Sequence, residues 1–447
     1  MRIKAITGCL LGIIWLTVGC QNGLSEEVSP RSESEEGIAV KSGADHPPAA
    51  ITLKDWPWWR GRLRSGVASG SGSAPLEWSS SKNILWRAAV SGRGHASPIV
   101  VGDSVYLATA DDENQVQSAV AFDRRTGEHL WTTAVRRGGF PKLHAKNTHA
   151  SSTIASDGER LFLVFFHDEA LQATALDLQG NKLWQKSLGE FNPKRYEFGY
   201  GTSPVVYGDT VIFTGEYDGD AFIVALDRNS GEQRWRIKRP ENVSYSTPAI
   251  AYVAGRDQLF ITGADEIASY DPRTGEQLWT APGCTTATCG TMVWEKDTVF
   301  ASGGFPGSET IAVRADGSGE VLWRNNVRCY EQSLLAHAGY VYAFSDNGVL
   351  YCWKADDGQE MWKKRLQGPV SASPVLAGGH IYWSNELGKT YVFKPNPEKL
   401  EIVAENQLGS ESFASPAVSR GQLFLRVADQ VDGKRQEWLY CIGPTER

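Results

Sequence analysis

The sequence predicts an all-β fold, an eight-bladed β-propeller of four-stranded antiparallel blades closed into a ring by an N-terminal strand. Three observations predict it. First, 46 Gly and 16 Trp against only 3 Met in 447 residues suit tight turns and stiff packing rather than long helices. Second, Ala121-Phe122-Asp123-Arg124-Arg125-Thr126-Gly127-Glu128-His129-Leu130-Trp131 returns as Ala225 to Trp235 and as Ser269 to Trp279, with weaker copies ending at Trp184, Trp323 and Trp362. Third, a hydroxyl residue opens each of eight units, at Ser97-Pro98, Ser152-Thr153, Ser203-Pro204, Thr247-Pro248, Thr291-Met292, Ser333-Leu334, Ser373-Pro374 and Ser415-Pro416. The units are 40 to 55 residues long and hold about four short apolar runs each, which is the length of a propeller blade.

Taken in chain order, residues 1–19 read as a secretory signal: Arg2 and Lys4 are basic, Ala5 to Val18 is mostly apolar, and small Gly19 precedes Cys20. Its fourteen apolar-stretch residues fall short of the about 20 that a spanning helix needs. Leu16-Thr17-Val18-Gly19-Cys20 resembles a bacterial lipobox, which implies cleavage before Cys20 and a lipid on its thiol; the alternative is an ordinary secreted protein that discards Cys20. Residues 20–54 lack Phe, Trp and Tyr and are rich in Ser, Glu, Pro, Ala and Gly, so they are expected to form a disordered tether. The propeller is expected over residues 55–443. Trp56, Trp58 and Trp59 are expected to cap one end or side of the ring, or to offer an aromatic patch to a partner. Asn83 to Ala88 reads as an orphan outer strand carrying Trp86, while the last unit reaches Cys441-Ile442 without a Trp-bearing fourth strand. Joining the two closes the ring and removes exposed sheet edges.

Within each repeat the Asp side chain can accept hydrogen bonds from turn amides, Gly tolerates the left-handed conformation, and Trp opens an outer strand with a large group to bury. Trp86, Trp131, Trp184, Trp235, Trp279, Trp323 and Trp362 are therefore read as structural. The pattern A-x-D-x-x-T-G-x-x-x-W resembles the tryptophan-docked repeat of the pyrroloquinoline quinone (PQQ)-like propeller superfamily, over Asp55 to Gly443. That superfamily contains quinoprotein alcohol and sugar dehydrogenases and also the non-enzymatic propeller lipoprotein of the outer-membrane β-barrel assembly machine. The dehydrogenases use PQQ with calcium, an Asp base and usually two adjacent cysteines. No two cysteines are adjacent in this chain.

In such a meander, with strands A to D running outward from the channel, the D-to-A and B-to-C connections share one face. That face carries the long loops, Arg136 to His149, Gly189 to Tyr200 and Gly303 to Glu309. Long loops on a rigid scaffold are the usual seat of function. The residues just before each unit are expected to ring the channel mouth, where they suit a ligand pocket or merely hydrogen-bond neighbouring loops or water in a plugged channel: His95, His149, Tyr200, Tyr245, Cys289, Glu331, Ser371 and Phe413. Arg93, Arg136, Arg137, Lys142, Lys146, Lys194 and Arg195 could favour an anionic partner, or be solvated loop charges. His95, His144 and His149 allow a metal site to be drawn, but no carboxylate or thiolate is placed beside them by sequence, and ordinary loop histidines are the better explanation. Cys284 and Cys289 could form a disulfide or stand as free thiols, and Cys352 and Cys441 read as small buried hydrophobes.

A net charge of −7 gives no footprint for nucleic acid. No phosphate loop, nucleophile elbow or zinc-protease motif occurs in the sequence. The expected function is an exported, lipid-anchored binding or scaffold module on the periplasmic face of the cell envelope. Gln21 after Cys20 favours the outer membrane. The alternative from another class is a PQQ- and calcium-dependent oxidoreductase working from the ring around His95 and Glu331.

Overall fold

The structure is a computed structural model and describes residues 47–444 apart from Ser69 and Ser71. The signal at 1–19, Cys20 and most of the expected tether lie outside the described residues. The folded body starts a few residues before the expected boundary, because Ile51 is buried against Ile99 and Ile154.

Eight four-stranded antiparallel sheets follow one another, and no helix occurs among the described residues. Blade 1 comprises Ile99–Val101, Ser104–Asp111, Val116–Asp123 and His129–Arg137 as strands A to D. Blades 2 to 7 repeat that order. Blade 8 takes Ala417–Ser419, Gln422–Val431 and Lys434–Ile442 from the C-terminal end and Ile84–Val90 from the start of the chain. The closing strand pairs Ile84 with Ile442 and Val90 with Glu437. The inner strands are buried on both faces because neighbouring blades cover them, as in Ser104–Asp111. The outer strands alternate, as in Ile84–Val90, where only Trp86, Ala88 and Val90 are buried.

The repeat has a geometric explanation. Its first residue, in strand C, lies directly across from its Trp in strand D: Ala121 faces Trp131, Ala175 faces Trp184, Ala225 faces Trp235, Ser269 faces Trp279 and Ala312 faces Trp323. Cys352 faces Trp362 and Cys441 faces Trp86 in the same way. A small side chain lets the indole lie over the sheet, and this explains why those two cysteines are buried.

Five of the seven indoles then donate to the next blade, while Trp235 packs against Gly275 there without a hydrogen bond. Trp86 Nε1 donates to Arg124 O at 2.9 Å, Trp131 to Leu178 O at 3.1 Å, Trp184 to Arg228 O at 3.1 Å, Trp323 to Ala355 O at 2.8 Å and Trp362 to Asn396 O at 2.9 Å. Trp279 uses a relay: it donates to Gln258 Oε1 at 2.7 Å, and Gln258 Nε2 donates to Ala315 O of blade 5 at 2.8 Å. This is the blade whose turn Asp316 is displaced by one position.

Candidate functional site

The eight hydroxyl residues that open the units form a relay around the channel. The amide of Ser97 donates to Thr153 Oγ1, Thr153 to Ser203, Ser203 to Thr247, Thr291 to Ser333, Ser333 to Ser373, Ser373 to Ser415, and Ser415 back to Ser97, all at 2.8–3.0 Å. At the remaining step Thr291 Oγ1 accepts from the Trp59 indole at 2.8 Å. Seven of the eight neighbouring pairs of blades are thereby tied at the axis, with the amides at the start of strand A satisfied by side chains, and the plug takes the step between blades 4 and 5.

The N-terminal segment lies across one end of this ring. Trp56 forms an antiparallel bridge with Val100, the Ser156 amide donates to Pro57 O, Arg64 donates to Val206 O, Arg60 donates to Leu334 O at 2.8 Å, and Val67 forms a parallel bridge with Leu376. These partners lie in strand A, or beside it, of blades 1, 2, 3, 6 and 7. The expected capping role of the Trp cluster thus takes the form of a plug: Trp56 and Trp58 are buried in the ring, and Trp59 faces the cavity above as its floor.

The cavity is about 250 Å³ and opens towards the D-to-A and B-to-C loops. Six of the eight expected ring residues line it: His95, Tyr245, Cys289, Glu331, Ser371 and Phe413. His149 and Tyr200 do not, and these two placements need correction. His149 Nδ1 meets Asp112 Oδ1 at 2.8 Å, its Nε2 meets Pro141 O at 2.9 Å, and its ring lies against Phe140. Tyr200 is buried against Phe191 and donates to Thr214 O at 2.8 Å. The relay shows the reason. In the other six blades the ring residue stands two positions before the relay hydroxyl; His149 stands four before Thr153 and Tyr200 three before Ser203. At two before, Ser151 and Gly201 line the cavity instead. Reading Thr153 rather than Ser152 as the in-register hydroxyl would have found Ser151.

Sequence reasoning missed three further contributors. Phe198 and Tyr330 line the wall, and Glu386 joins Glu331 at the rim. Lys146 reaches both carboxylates, with its Nζ 2.9 Å from Glu331 Oε1 and 2.8 Å from Glu386 Oε1. Burial works against the Lys146 charge, but the two carboxylates outweigh it and raise its pKa. Lys146 belongs to the loop between blades 1 and 2, so that loop crosses the mouth to blades 6 and 7 as a strap. His144 and Asn147 hold the strap to the next loop through the Phe198 ring and its carbonyl. His95 stacks on Phe413 at 4.3 Å, and burial, followed by Arg93 and Arg426, pushes its pKa well down, which keeps the imidazole neutral. Burial raises the Tyr245 and Cys289 pKa values, so both stay protonated.

The other expected groups are dispersed. Lys142 pairs with Glu197 at 3.7 Å, Arg136 donates to Gln172 on the outer wall, the amides of Lys194 and Arg195 cap Asp218, Arg93 reaches Ala145 O, and Arg137 ends strand D of blade 1. They do not make one basic patch, because acids are interleaved among them. Cys284 and Cys289 are free thiols rather than a disulfide. Cys284 is buried between blades 4 and 5 beside Thr262, whereas Cys289 faces the channel beside Tyr330. His144, His149 and His95 each contact a different neighbour, and no group of three or more His, Cys, Asp or Glu side chains is arranged to hold a metal among the described residues.

The residues present do not fit PQQ with calcium. Such a quinone carries three carboxylates, while the cavity offers one cation, Lys146, already opposed by two acids. Glu331 and Glu386 are held by Lys146, and no group of three or more potential calcium ligands among Asp, Glu, His and Cys occurs among the described residues.

Comparison with known proteins gives a consistent result. A family model described as outer membrane protein assembly factor BamB matches residues 67–214, 198–305 and 307–396. The factor of that name from Burkholderia pseudomallei is 24% identical over 369 residues, covering 70% of this chain and 87% of the relative. Among solved structures, BamB from Moraxella catarrhalis superposes with a TM-score of 0.56 at 16% identity, covering 79% of this chain and 96% of that one. A europium-containing methanol dehydrogenase reaches 0.65 at 12% identity, covering 88% and 99% respectively. At these identities the structural likenesses concern the fold alone. Because the family model spans most of the ring, the chain belongs to the family of the outer membrane protein assembly factor BamB.

Proposed function

We propose that this protein is an exported, lipid-anchored scaffold of the cell envelope that works in outer-membrane protein assembly and docks its partners on the face of the D-to-A and B-to-C loops. The observation that carries the reading is the family match, which runs through blades 1 to 7 rather than over one repeat. Supporting the docking face, Phe198 and Phe305 stand 38% and 39% exposed there, with Tyr196 packed edge-on to Phe305 at 5.3 Å. Aromatic side chains left in water beside a cavity are what a protein interface uses as anchors. In this reading the anchor is a lipid on Cys20 and the tether is the segment 20–54 expected from the sequence.

The test is site-specific photo-cross-linking in cells from positions 198 and 305, with position 209 on the opposite face as control. Adducts with a subunit of the β-barrel assembly machine are expected from the first two positions only. Equal adducts from all three, or none, would remove the docking face. Palmitate labelling of the full chain and of Cys20→Ala checks the anchor, and label in both would remove it.

A further inference from the structure

We infer that the central cavity receives one cationic side chain, a lysine or arginine, presented by an extended polypeptide. This rests on the docking face proposed above and adds the chemistry it recognises. The argument starts from Ser371. Its Oγ lies within hydrogen-bond distance of both Glu331 Oε2 and Glu386 Oε1, yet a hydroxyl has a single hydrogen and can donate to only one of them. Lys146 Nζ already meets that Glu386 Oε1 at 2.8 Å, so the hydroxyl is free to donate to Glu331 Oε2, and Ser371 holds the two carboxyl groups side by side. Lys146 neutralises one of the two carboxylates, so the rim keeps one negative charge more than its own cation balances.

A second cation would balance the carboxylate charge that Lys146 leaves over. The walls suit it as well, because Trp59, Phe198, Tyr245, Tyr330 and Phe413 present rings to the same space. The structure already contains one such contact, with the Arg328 guanidinium 5.3 Å over the Tyr330 ring. His95 is neutral and adds no repulsion.

Size and closure favour a side chain. The cavity holds the volume of about eight waters at ~30 Å³ each. It is floored by Trp59, so it accepts an end and not a chain passing through. Lys146 itself shows that a lysine arriving over the mouth reaches the acid pair. It remains 41% exposed on a long side chain while its backbone is held by neighbours on both sides, so its ammonium group can swing away and act as an internal competitor.

The test is calorimetric titration of the full chain with acetyl-Gly-Gly-Lys-Gly-Gly-amide, its Gln counterpart, n-butylammonium and n-butyrate. The Lys peptide is expected to saturate, with the Gln peptide and butyrate weaker by about tenfold or more. Lys146→Met should tighten the Lys peptide, and combined Glu331→Gln and Glu386→Gln should weaken it about tenfold. Equal binding of Gln and Lys peptides, an unchanged affinity in the Gln double variant, or weaker binding in Lys146→Met would overturn the inference. So would tighter binding of free butylammonium than of the peptide, which would mark a small amine as the ligand. If the double variant does not fold, Lys146→Met and the Gln peptide still decide. No saturation by the Lys peptide ends this inference while leaving the docking face to its cross-linking test.

Discussion

Asp227 illustrates how much one residue of the repeat does. Its Oδ1 accepts from the amides of Asn229 and Ser230 at 2.8 Å and from the Ser230 hydroxyl at 3.2 Å, and Arg234 pairs with its other oxygen. Burial opposes the charged form, but Arg234 and the turn amides prevail and bring its pKa down to about 2. A carboxyl depressed in the folded state stabilises it fully above the ordinary carboxylate range near 3.8, and that contribution is lost as pH falls towards 2. Asp227→Asn is therefore expected to melt lower than wild type at pH 7, with the gap narrowing between pH ~4 and ~2. Parallel melting curves across that window would contradict the role. Asp123 and Asp271 sit in equivalent turns and are shifted in the same direction. Much of this was legible beforehand, since an Asp three residues before a Thr-Gly has few other uses. His149 and Tyr200 were misplaced at the same scale: Tyr200 is displaced by one residue, which reverses the direction of a side chain in an extended chain, and His149 lies two residues further from the relay, where its ring turns to Asp112 and Phe140.

At the scale of the element, the closing strand Ile84–Val90 has the largest consequence. Trp86 is 8% exposed, pairs with Cys441 and docks on blade 1, where a β-carbon on Gly127 would come within 2.5 Å of the indole. Gly127 also has φ +73°, so both space and backbone call for glycine there. Trp86→Ala should destabilise the protein by about 3–5 kcal/mol. Hydrogen exchange should rise first in Ile84–Val90 and Lys434–Ile442, the two strands this indole joins to the ring. Exchange rising uniformly, or in blades 4 and 5 first, would show that closure does not depend on this contact. The orphan strand was readable because it carried a Trp with no repeat around it, and the last unit lacked one. The strap over 138–150 had no such mark: Lys146 finds Glu331 and Glu386 across the mouth, a contact between residues 185 and 240 positions apart.

For the whole molecule, the plug decides what the ring can bind. Trp56 and Trp58 are 3% and 2% exposed. Burying an aromatic side chain removes roughly 150–250 Å² from water, about 4–6 kcal/mol at ~25 cal/mol per Å². Replacing residues 55–61 by a Gly-Ser segment should lower the melting temperature markedly and abolish the binding of any ligand seated on Trp59. Both are checked by calorimetry. A stable ring that still bound such a ligand would mean the floor lies elsewhere.

By itself the sequence determined the blade count, the direction of the turns, the closure by Trp86 and the face that bears the long loops. These follow from patterns of period two and from a repeat whose members touch their neighbours within one or two blades. The plug's route through the ring, the in-register Thr153, the relay through Gln258 and the meeting of Lys146, Glu331, Glu386 and Ser371 were decided only by the tertiary structure. Ring closure converts large separations along the chain into short distances at the axis, and no local pattern records which residues will meet there.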